Sequence, residues 1–542
     1  MAIKHESKKD KYDSTKYQYD LNSPADFETA ITATGFGWFN VLLLLVGCPA
    51  AIASVFETAV VSYVLPSAEC DLGLNLLNKG ILNAMTYSGM IISAIAWGYI
   101  ADTRGRKAIL VWGLLADVVC VLACAMSQSI TQLMIAKFIG GLVMGGPFAV
   151  LMTYLQEFHN NKYRGRVMMC IGIMFAMASL SMPILALMIL PQEWEFSIFN
   201  MQFHSWQVYL AICAIPSLIS GMALSFFPES PRFLMSQGRT KEALQAFRTI
   251  YALNKGKPKD TYPITKLLDE VSKGENDAHY EEISISTIET ASVRDQVKDI
   301  VDDDFKTKDP SPFLALFQKP FLWLSINVYM LNFCILLGQN TMRLWLPQLF
   351  ASLREFQEIS VETAEHSMCS ILEYSVNKTG LVKETDSTCS VIISSSSYTN
   401  NIIVAGACFA VFLVAGTLIN KLGHKRIQIG ALIIAGTCGF ALYWSSTTAS
   451  TLVITALYAC MGSLSATSAV GTSALLFPTS LRTMVVCVAL MFGRIGSIFG
   501  NILFPVFMSF GCVPPFVMVG GVMFVACVLS SLLPNTKKAD LK

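Results

Sequence analysis

The sequence predicts an all-α membrane protein in which twelve transmembrane helices form two pseudo-symmetric six-helix bundles. The composition supports this class, because 53% of the residues are apolar and only 14% are charged, too few charges to cover a soluble domain. The chain also contains twelve apolar runs of about 20 residues or more, the length that crosses the hydrocarbon core of a bilayer. A charged turn after the second run recurs after the eighth, which indicates an internal repeat.

The twelve predicted spans alternate with polar turns. They cover residues 39–66, 80–101, 107–127, 131–156, 167–191, 206–227, 320–350, 399–420, 426–446, 451–474, 483–509 and 513–534. Two longer polar segments interrupt the series, one after the sixth span and one after the seventh.

The repeated turn defines two halves of the chain. Gly98 and Gly105 in the first copy correspond to Gly416 and Gly423 in the second, an offset of 318 positions in both cases (416 − 98 and 423 − 105). Two copies of a six-helix half are typical of secondary transporters. We therefore predict cytoplasmic tails at residues 1–36 and 535–542, bundles at 37–227 and 320–534, a cytoplasmic central loop at 228–319 and a lumenal or extracellular loop at 351–398.

The Lys and Arg residues of the short turns predict the orientation. Arg104, Lys107, Arg164 and Arg482 lie in turns on one side, whereas four turns on the opposite side, residues 127–130, 192–205, 445–450 and 511–512, contain neither residue type. Positive residues mark the cytoplasmic side, so we expect both termini in the cytosol. Residues 1–36 open with polar and charged residues, so no cleavable signal peptide is expected. The plasma membrane and an intracellular or secretory vesicle membrane both fit this topology.

The two longer polar segments carry different patterns. In the central loop, the spacing of Ala243, Phe247 and Ile250 predicts an amphipathic helix over residues 240–253. In the 351–398 loop, Asn377 begins an acceptor site for N-glycosylation. Cys369 and Cys389 flank this site, and we interpret the segment as a glycosylated loop with one disulfide. The alternative is a chance acceptor site beside two free thiols.

Few ionisable residues fall inside the predicted spans, and each is a functional candidate because a charge at bilayer depth is costly. They are Glu57, Asp117, Lys137, Glu157, Arg343 and Arg494. The six histidines lie in loops or at span ends, so we expect no metal site in the membrane and no cofactor. The formal net charge of +1 gives no support for nucleic-acid binding.

The turn that begins at Gly98 resembles the signature of the major facilitator superfamily. The resemblance implies that the carboxylate of Asp102 faces the N-terminus of the eleventh helix, where the helix dipole favours a negative charge. It also implies that Gly98 lets the second and eleventh spans approach closely. These residues would act as a cytoplasmic latch for the outward-facing state. The predicted latch comprises Gly98, Asp102, Arg104, Gly105, Arg106, Lys107, Glu157 and Arg164.

The segments around Glu57 and Lys137 resemble parts of the proton-coupled sugar porters of this superfamily. Val55-Phe-Glu57-Thr is similar to their first span and Lys137-Phe-Ile-Gly140-Gly to their fourth, and the resemblance implies that the two charged side chains pair. A carboxylate beside a cation balances desolvation against attraction, as a coupling site requires. Our hypothesis is that protonation of Glu57 releases Lys137 and biases the protein between its two faces. A structural salt bridge is the alternative.

Arg343 and Arg494 are the leading substrate candidates, together with Asn340 and Asp117. Two cations that face one central cavity would suit an anionic or zwitterionic solute. For Arg343 the alternative is a side chain that extends to the far membrane interface. For Asp117 the alternative is a hydrogen bond to a neighbouring helix.

The segment from Pro228 to Leu234 resembles a motif shared by sugar porters, organic ion transporters and synaptic vesicle glycoprotein 2 relatives, whereas the hexose-binding signatures of the sugar porters are absent. We predict a secondary active transporter that moves a small organic solute by alternating access and acts as a monomer in the lipid bilayer, the usual state in the family. No zinc-protease, nucleophile-elbow or phosphate-loop motif occurs, so an enzyme is not expected. The alternative is a non-transporting membrane protein that senses a ligand or binds vesicle partners. The second half favours it, because Asn420 and Leu475 replace the latch carboxylates there.

Overall fold

The computed structural model describes residues 24–192, 194–198, 201–268, 316, 321–359, 368, 395–445, 447–477 and 479–534. Within these ranges the side chains of some residues, among them Asp102, Asn420, Leu475 and Arg482, lie outside the description. The predicted glycosylation site at Asn377 and the predicted disulfide between Cys369 and Cys389 also lie outside the described residues, so both stay predictions.

The described chain is almost entirely helical. In chain order the helices are α1 (Phe27–Thr34), α2 (Trp38–Val64), α3 (Leu76–Arg104), α4 (Arg106–Ala125), α5 (Ile130–Glu157), α6 (Asn161–Ile189), α7 (Ser205–Ile212), α8 (Ile215–Leu224), α9 (Pro231–Ser236), α10 (Thr240–Lys255), α11 (Leu322–Ile359), α12 (Ser395–Leu422), α13 (His424–Ala441), α14 (Thr448–Leu476), α15 (Thr479–Ser509) and α16 (Val513–Leu532). A short antiparallel sheet of β1 (Glu195–Ile198) and β2 (Met201–His204) lies between α6 and α7.

Eleven membrane-crossing segments in the described ranges meet the length and apolarity of a span, one fewer than the sequence predicts. The second predicted span, residues 80–101, corresponds to α3, which is 29 residues long. It is not counted among the eleven, because the side chain of Ile95 in its middle lies outside the description. Asn83, Thr86 and Ser93 of α3 are buried inside the protein, which keeps these polar groups away from lipid.

The sixth predicted span is broken into α7 and α8. The break falls at Cys213 and Ala214, directly before Pro216 at the start of α8. Proline removes a backbone donor and is best tolerated in the first turn of a helix, so a new helix begins there. The helix predicted over residues 240–253 is present as α10, with Ala243, Phe247 and Ile250 buried. By contrast, α1 and the β1–β2 hairpin were not predicted.

The repeated turn has the same backbone geometry in both halves. Gly105 joins α3 to α4 with a φ of 94°, and Gly423 joins α12 to α13 with a φ of 81°. Such angles are unfavourable for residues with a Cβ atom, so glycine is needed at both positions. We call the side of the Gly105 turn the basic side and the side of the α2–α3 connection the far side.

The chain contacts divide into two compact units. The first unit contains α1, the start of α2, residues 157–163, α9 and α10. Phe27 and Phe247 pack within it, and the Tyr262 hydroxyl donates to the Ala30 carbonyl at 2.7 Å. The Asn254 side chain accepts from the Phe39 amide at 3.0 Å, which ties α10 to the first turn of α2.

In its described residues the second unit contains the remaining spans, two large hydrophobic cores and a small cluster of Ile427, Ala431 and Leu464. One core is built mainly by α2–α8, with Trp206 and Tyr209 among its fully buried side chains. The other is built by α11–α16 around residues such as Trp345 and Phe504, whose rings lie 5.2 Å apart. Each core corresponds to one copy of the sequence repeat.

Candidate functional site

Glu57 on α2 and Lys137 on α5 form an ion pair inside the first core. The Lys137 Nζ atom lies 2.7 Å from Glu57 Oε1, and the two side chains are each 1% exposed. The same ammonium donates to the Glu57 backbone carbonyl at 3.0 Å. No hydroxyl or amide of the described residues donates to the Glu57 carboxylate. The charge of Glu57 is therefore compensated by Lys137.

A glycine on α5 makes room for this pair. A Cβ atom at Gly140 would collide with the Glu57 carboxylate. Glycine at this position lets the carboxylate of α2 lie directly against the backbone of α5, one turn from Lys137. The Lys137-Phe-Ile-Gly140 spacing thus supplies both the cation and the space that its partner occupies.

Asp117 on α4 lies in the same electrostatic environment as this pair. It is 1% exposed and interacts with the charges of both Glu57 and Lys137. Ser217 on α8 donates its hydroxyl to Asp117 Oδ2 at 2.6 Å, while Oδ1 has no hydrogen-bond partner in the described part of the chain. The sequence treated Asp117 as a cavity residue, with a bond to a neighbouring helix as the alternative. We call Glu57, Asp117, Lys137 and Ser217 the buried charge cluster.

Arg343 on α11 and Arg494 on α15 lie beside the same tyrosine of the first half. Arg343 Nη2 donates to the Tyr87 hydroxyl at 3.1 Å, and Arg494 interacts electrostatically with Tyr87 as well. The Arg494 guanidinium lies 5.4 Å from the centroid of the Phe148 ring on α5, a cation–π distance. We call Arg343 and Arg494 the arginine pair.

The arginine pair lacks a negative partner among the described side chains. Neither guanidinium has a carboxylate within 4.0 Å there, and the buried Arg343 Nε atom has no acceptor among them. Asn340, one turn before Arg343, donates to the Ser497 hydroxyl at 2.7 Å. The arrangement leaves two half-buried cations available to a bound anion.

The residues of the predicted latch lie at helix ends. Arg104 ends α3 and is exposed, Arg106 begins α4 and donates to the Ala101 carbonyl at 2.8 Å, and Glu157 ends α5. Lys107 and Arg164 lie in the first turns of α4 and α6, and the side chain of Asp102 is outside the described set. The latch contacts therefore stay a prediction.

The two ends of α3 differ in how closely they approach other helices. At Gly80, on the far side, an added Cβ would collide with the Asn501 carbonyl and the Pro505 ring of α15. At Gly98, on the basic side, an added Cβ would meet none of the described atoms within 4 Å. The described residues thus show a close approach of the second and eleventh spans at Gly80, and the approach expected at Gly98 stays a prediction.

A polar cluster on the far side escaped the sequence reasoning. Asp71 Oδ2 accepts from Trp206 Nε1 at 2.7 Å and lies 3.1 Å from His204 Nδ1. Glu69 pairs with the fully buried Lys79 at 2.8 Å. Tyr87 and Ser217 were also missed, because a polar residue inside an apolar run gives no signal of what it will face.

Long apolar helices around a charged interior define a class, the multi-pass membrane proteins. The family follows from the sequence match. The chain belongs to the Major Facilitator Superfamily, whose model matches residues 47–372.

Curated relatives show which members of the superfamily this chain is similar to. Synaptic vesicle glycoprotein 2B of Rattus norvegicus is 33% identical over 246 residues, which are 44% of this chain and 36% of that protein. Synaptic vesicle glycoprotein 2A of Rattus norvegicus is 31% identical over 246 residues, 33% of its length. The matched stretch thus spans about a third of each relative, and the predicted resemblance to this group is confirmed.

Solved structures support the fold. The xylose transporter XylE from E. coli, in a partially occluded inward-open conformation, matches with a TM-score of 0.61 at 17% identity and covers 92% of this chain and 100% of its own. A crystal structure of a D-xylose-proton symporter matches with a TM-score of 0.61 at 16% identity, over 92% of this chain and 98% of its own. The predicted all-α fold of this superfamily is confirmed.

Proposed function

We propose that the protein is a secondary active transporter that moves a small anionic or zwitterionic organic solute by alternating access. The observation that carries the proposal is the arginine pair, two half-buried guanidinium groups with no carboxylate partner among the described residues. Such cations are costly at bilayer depth unless a ligand or water compensates them. A carboxylate or phosphate group of the solute would supply that compensation through two-pronged hydrogen bonds.

The asymmetry of α3 supports alternating access. Contacts between the two halves are tight on the far side, as at Gly80 and at the 3.2 Å hydrogen bond between Ser67 and Tyr398. At Gly98, on the basic side, none of the described atoms would lie within 4 Å of an added Cβ. A transporter that opens toward one side while it closes on the other has this arrangement. We propose that this is the inward-open state and that the basic side faces the cytosol, with both termini there.

Coupling to protons is proposed at the Glu57–Lys137 pair. Protonation of Glu57 would remove the charge that compensates Lys137, and a buried ammonium without a partner is unstable. The pair therefore has two states that differ by one proton, which is what a gradient needs in order to bias a conformational equilibrium. The residue 318 positions after Lys137 is Thr455, so the second half has no equivalent cation.

The test is solute uptake into proteoliposomes that contain the purified protein. Small organic anions, zwitterions, cations and neutral sugars are compared with and without an imposed pH gradient. We expect uptake of an anion or zwitterion, lost in Arg494→Gln and retained in Arg239→Gln, which removes an exposed arginine that pairs with Glu242. Uptake of only cations or neutral solutes, or uptake unchanged in Arg494→Gln, would contradict the proposed solute class.

The same vesicles test coupling through Glu57→Gln. This variant should exchange solute across the membrane but no longer accumulate it against a gradient. If wild-type uptake ignores the pH gradient, the coupling proposal fails while the solute class stands. If folded protein moves no solute at all, the protein is a non-transporting sensor or binding partner, the function that the lost carboxylates at Asn420 and Leu475 favour.

A further inference from the structure

The buried charge cluster holds more acid groups than bases. Glu57 and Asp117 supply two carboxyl groups and Lys137 supplies one ammonium, and none of the three is more than 2% exposed. Asp117 contacts the Ser217 hydroxyl of α8 and interacts electrostatically with Glu57 from α2, with Lys137 from α5 and with the Cys120 and Cys124 thiols of α4 itself. With every carboxyl group ionised, the cluster would carry one uncompensated negative charge.

The geometry decides which carboxyl group the ammonium compensates. Lys137 Nζ lies 2.7 Å from Glu57 and makes a second bond to the Glu57 backbone. Asp117 has one hydrogen bond, to the Ser217 hydroxyl, and its Oδ1 atom lacks a donor among the described residues. An ionised carboxylate buried with a single hydroxyl for support is strongly unfavourable.

We propose that Asp117 holds a proton while Glu57 is paired with Lys137, and that this proton passes to Glu57 when the pair opens. The 2.6 Å separation between Asp117 and Ser217 suits an O–H···O bond in either direction, so a neutral Asp117 can donate to Ser217. The inference rests on the coupling role proposed above, to which it adds a second proton-binding residue.

The transfer keeps the charge of the cluster constant. Before it, Asp117 is a neutral acid and Glu57 a carboxylate; afterwards Asp117 is the carboxylate and Glu57 the neutral acid. One O–H bond breaks on Asp117 and one forms on Glu57, while Lys137 remains an ammonium with one carboxylate partner. No charge is left alone in the membrane at either stage, which removes the main cost of opening the Glu57–Lys137 pair.

The test is infrared difference spectroscopy of the purified protein at neutral pH, where a neutral carboxylic acid has its own carbonyl band. We expect this band in the wild type, its loss in Asp117→Asn and its retention in Glu242→Gln, which removes an exposed carboxylate. Ser217→Ala should shift the band rather than remove it, because Asp117 then loses its hydrogen-bond partner. A band that is absent from the wild type, or unmoved by both cluster substitutions, overturns the proposal.

The Glu57→Gln variant tests the proton transfer itself. Removal of the Glu57 charge leaves Asp117 as the available partner for Lys137, so Asp117 should ionise and the band should disappear. Persistence of the band in Glu57→Gln would mean that Asp117 is a neutral structural acid that never takes over the pairing. These spectra need no solute, so they remain informative if transport fails. Conversely, proton-driven uptake by a protein that lacks the band would overturn the proposed role of Asp117 and leave the coupling role of the Glu57–Lys137 pair standing.

Discussion

At the scale of single residues, Lys137 faces two buried carboxyl groups, those of Glu57 and Asp117. A buried ion pair adds little to the free energy of unfolding relative to a well-packed apolar pair of similar volume, because the cost of desolvation offsets most of the attraction. Its removal alone is a different matter, since it leaves carboxyl groups in the core without compensation. The structure thus predicts strong coupling between substitutions at these positions.

We expect Lys137→Met to destabilise the protein by about 3–5 kcal/mol, the usual cost of removing one partner of a buried ion pair. Glu57→Gln should cost less, because Asp117 remains to pair with Lys137. The double variant should recover much of the loss. Thermal unfolding of the detergent-solubilised protein measures all three, and strictly additive effects would argue against a direct interaction.

At the scale of elements, the packing of α3 on α5 depends on glycines. A Cβ at Gly141 would collide with the Thr86 backbone of α3, and one at Gly89 would collide with the Phe138 carbonyl of α5. The Trp97 indole donates to the Leu142 carbonyl at 2.7 Å, also between these helices. Small residues are the general means by which membrane helices approach closely.

Gly141→Ala should therefore destabilise the protein by about 1–3 kcal/mol, as overpacking commonly does. Gly172 on α6 offers a matched control, because an added Cβ there meets nothing within 4 Å. Gly172→Ala should leave the unfolding temperature unchanged or raise it slightly, since alanine favours a helix by up to about 1 kcal/mol over glycine. Equal effects of the two substitutions would show that the α3–α5 contact is looser than described.

At the scale of the whole molecule, the second unit has a tight contact at Gly80 on the far side, whereas at Gly98 on the basic side none of the described atoms would lie within 4 Å of an added Cβ. If the halves alternate, the basic ends of α3 and α15 must close when the far ends separate. A bulky side chain beside Gly98 would then block one half of the cycle and leave the present conformation intact.

Gly98→Trp should fold with wild-type stability, bind solute in detergent and lose uptake in vesicles. The control is Val119→Trp, at a side chain on α4 that is 68% exposed on the outer surface of the helices. This control should transport normally. Calorimetry measures binding, and radiolabelled solute measures uptake. Normal uptake by Gly98→Trp would show that the basic ends need not close.

The sequence predicted those parts of the fold that depend on short segments of the chain. Span lengths, the repeat and the charged residues inside apolar runs are each visible in short segments, and Glu57 and Lys137 were paired through a family resemblance. Asp117 was identified, but its proximity to the pair depends on how α4 packs. Tyr87 and Ser217 gave no signal, since their role comes from partners on distant helices.

Cys70 and Cys512 each take part in a disulfide, whereas the other described cysteines, among them Cys408 and Cys460, are free thiols. Cys70 follows α2 and Cys512 precedes α16, so both lie on the far side. Glutathione and thioredoxin keep cytosolic thiols reduced, and disulfides persist where the surroundings are oxidising. We therefore expect the far side to face an oxidising compartment, a proposal that rests on sulfur chemistry and not on the positions of Lys and Arg.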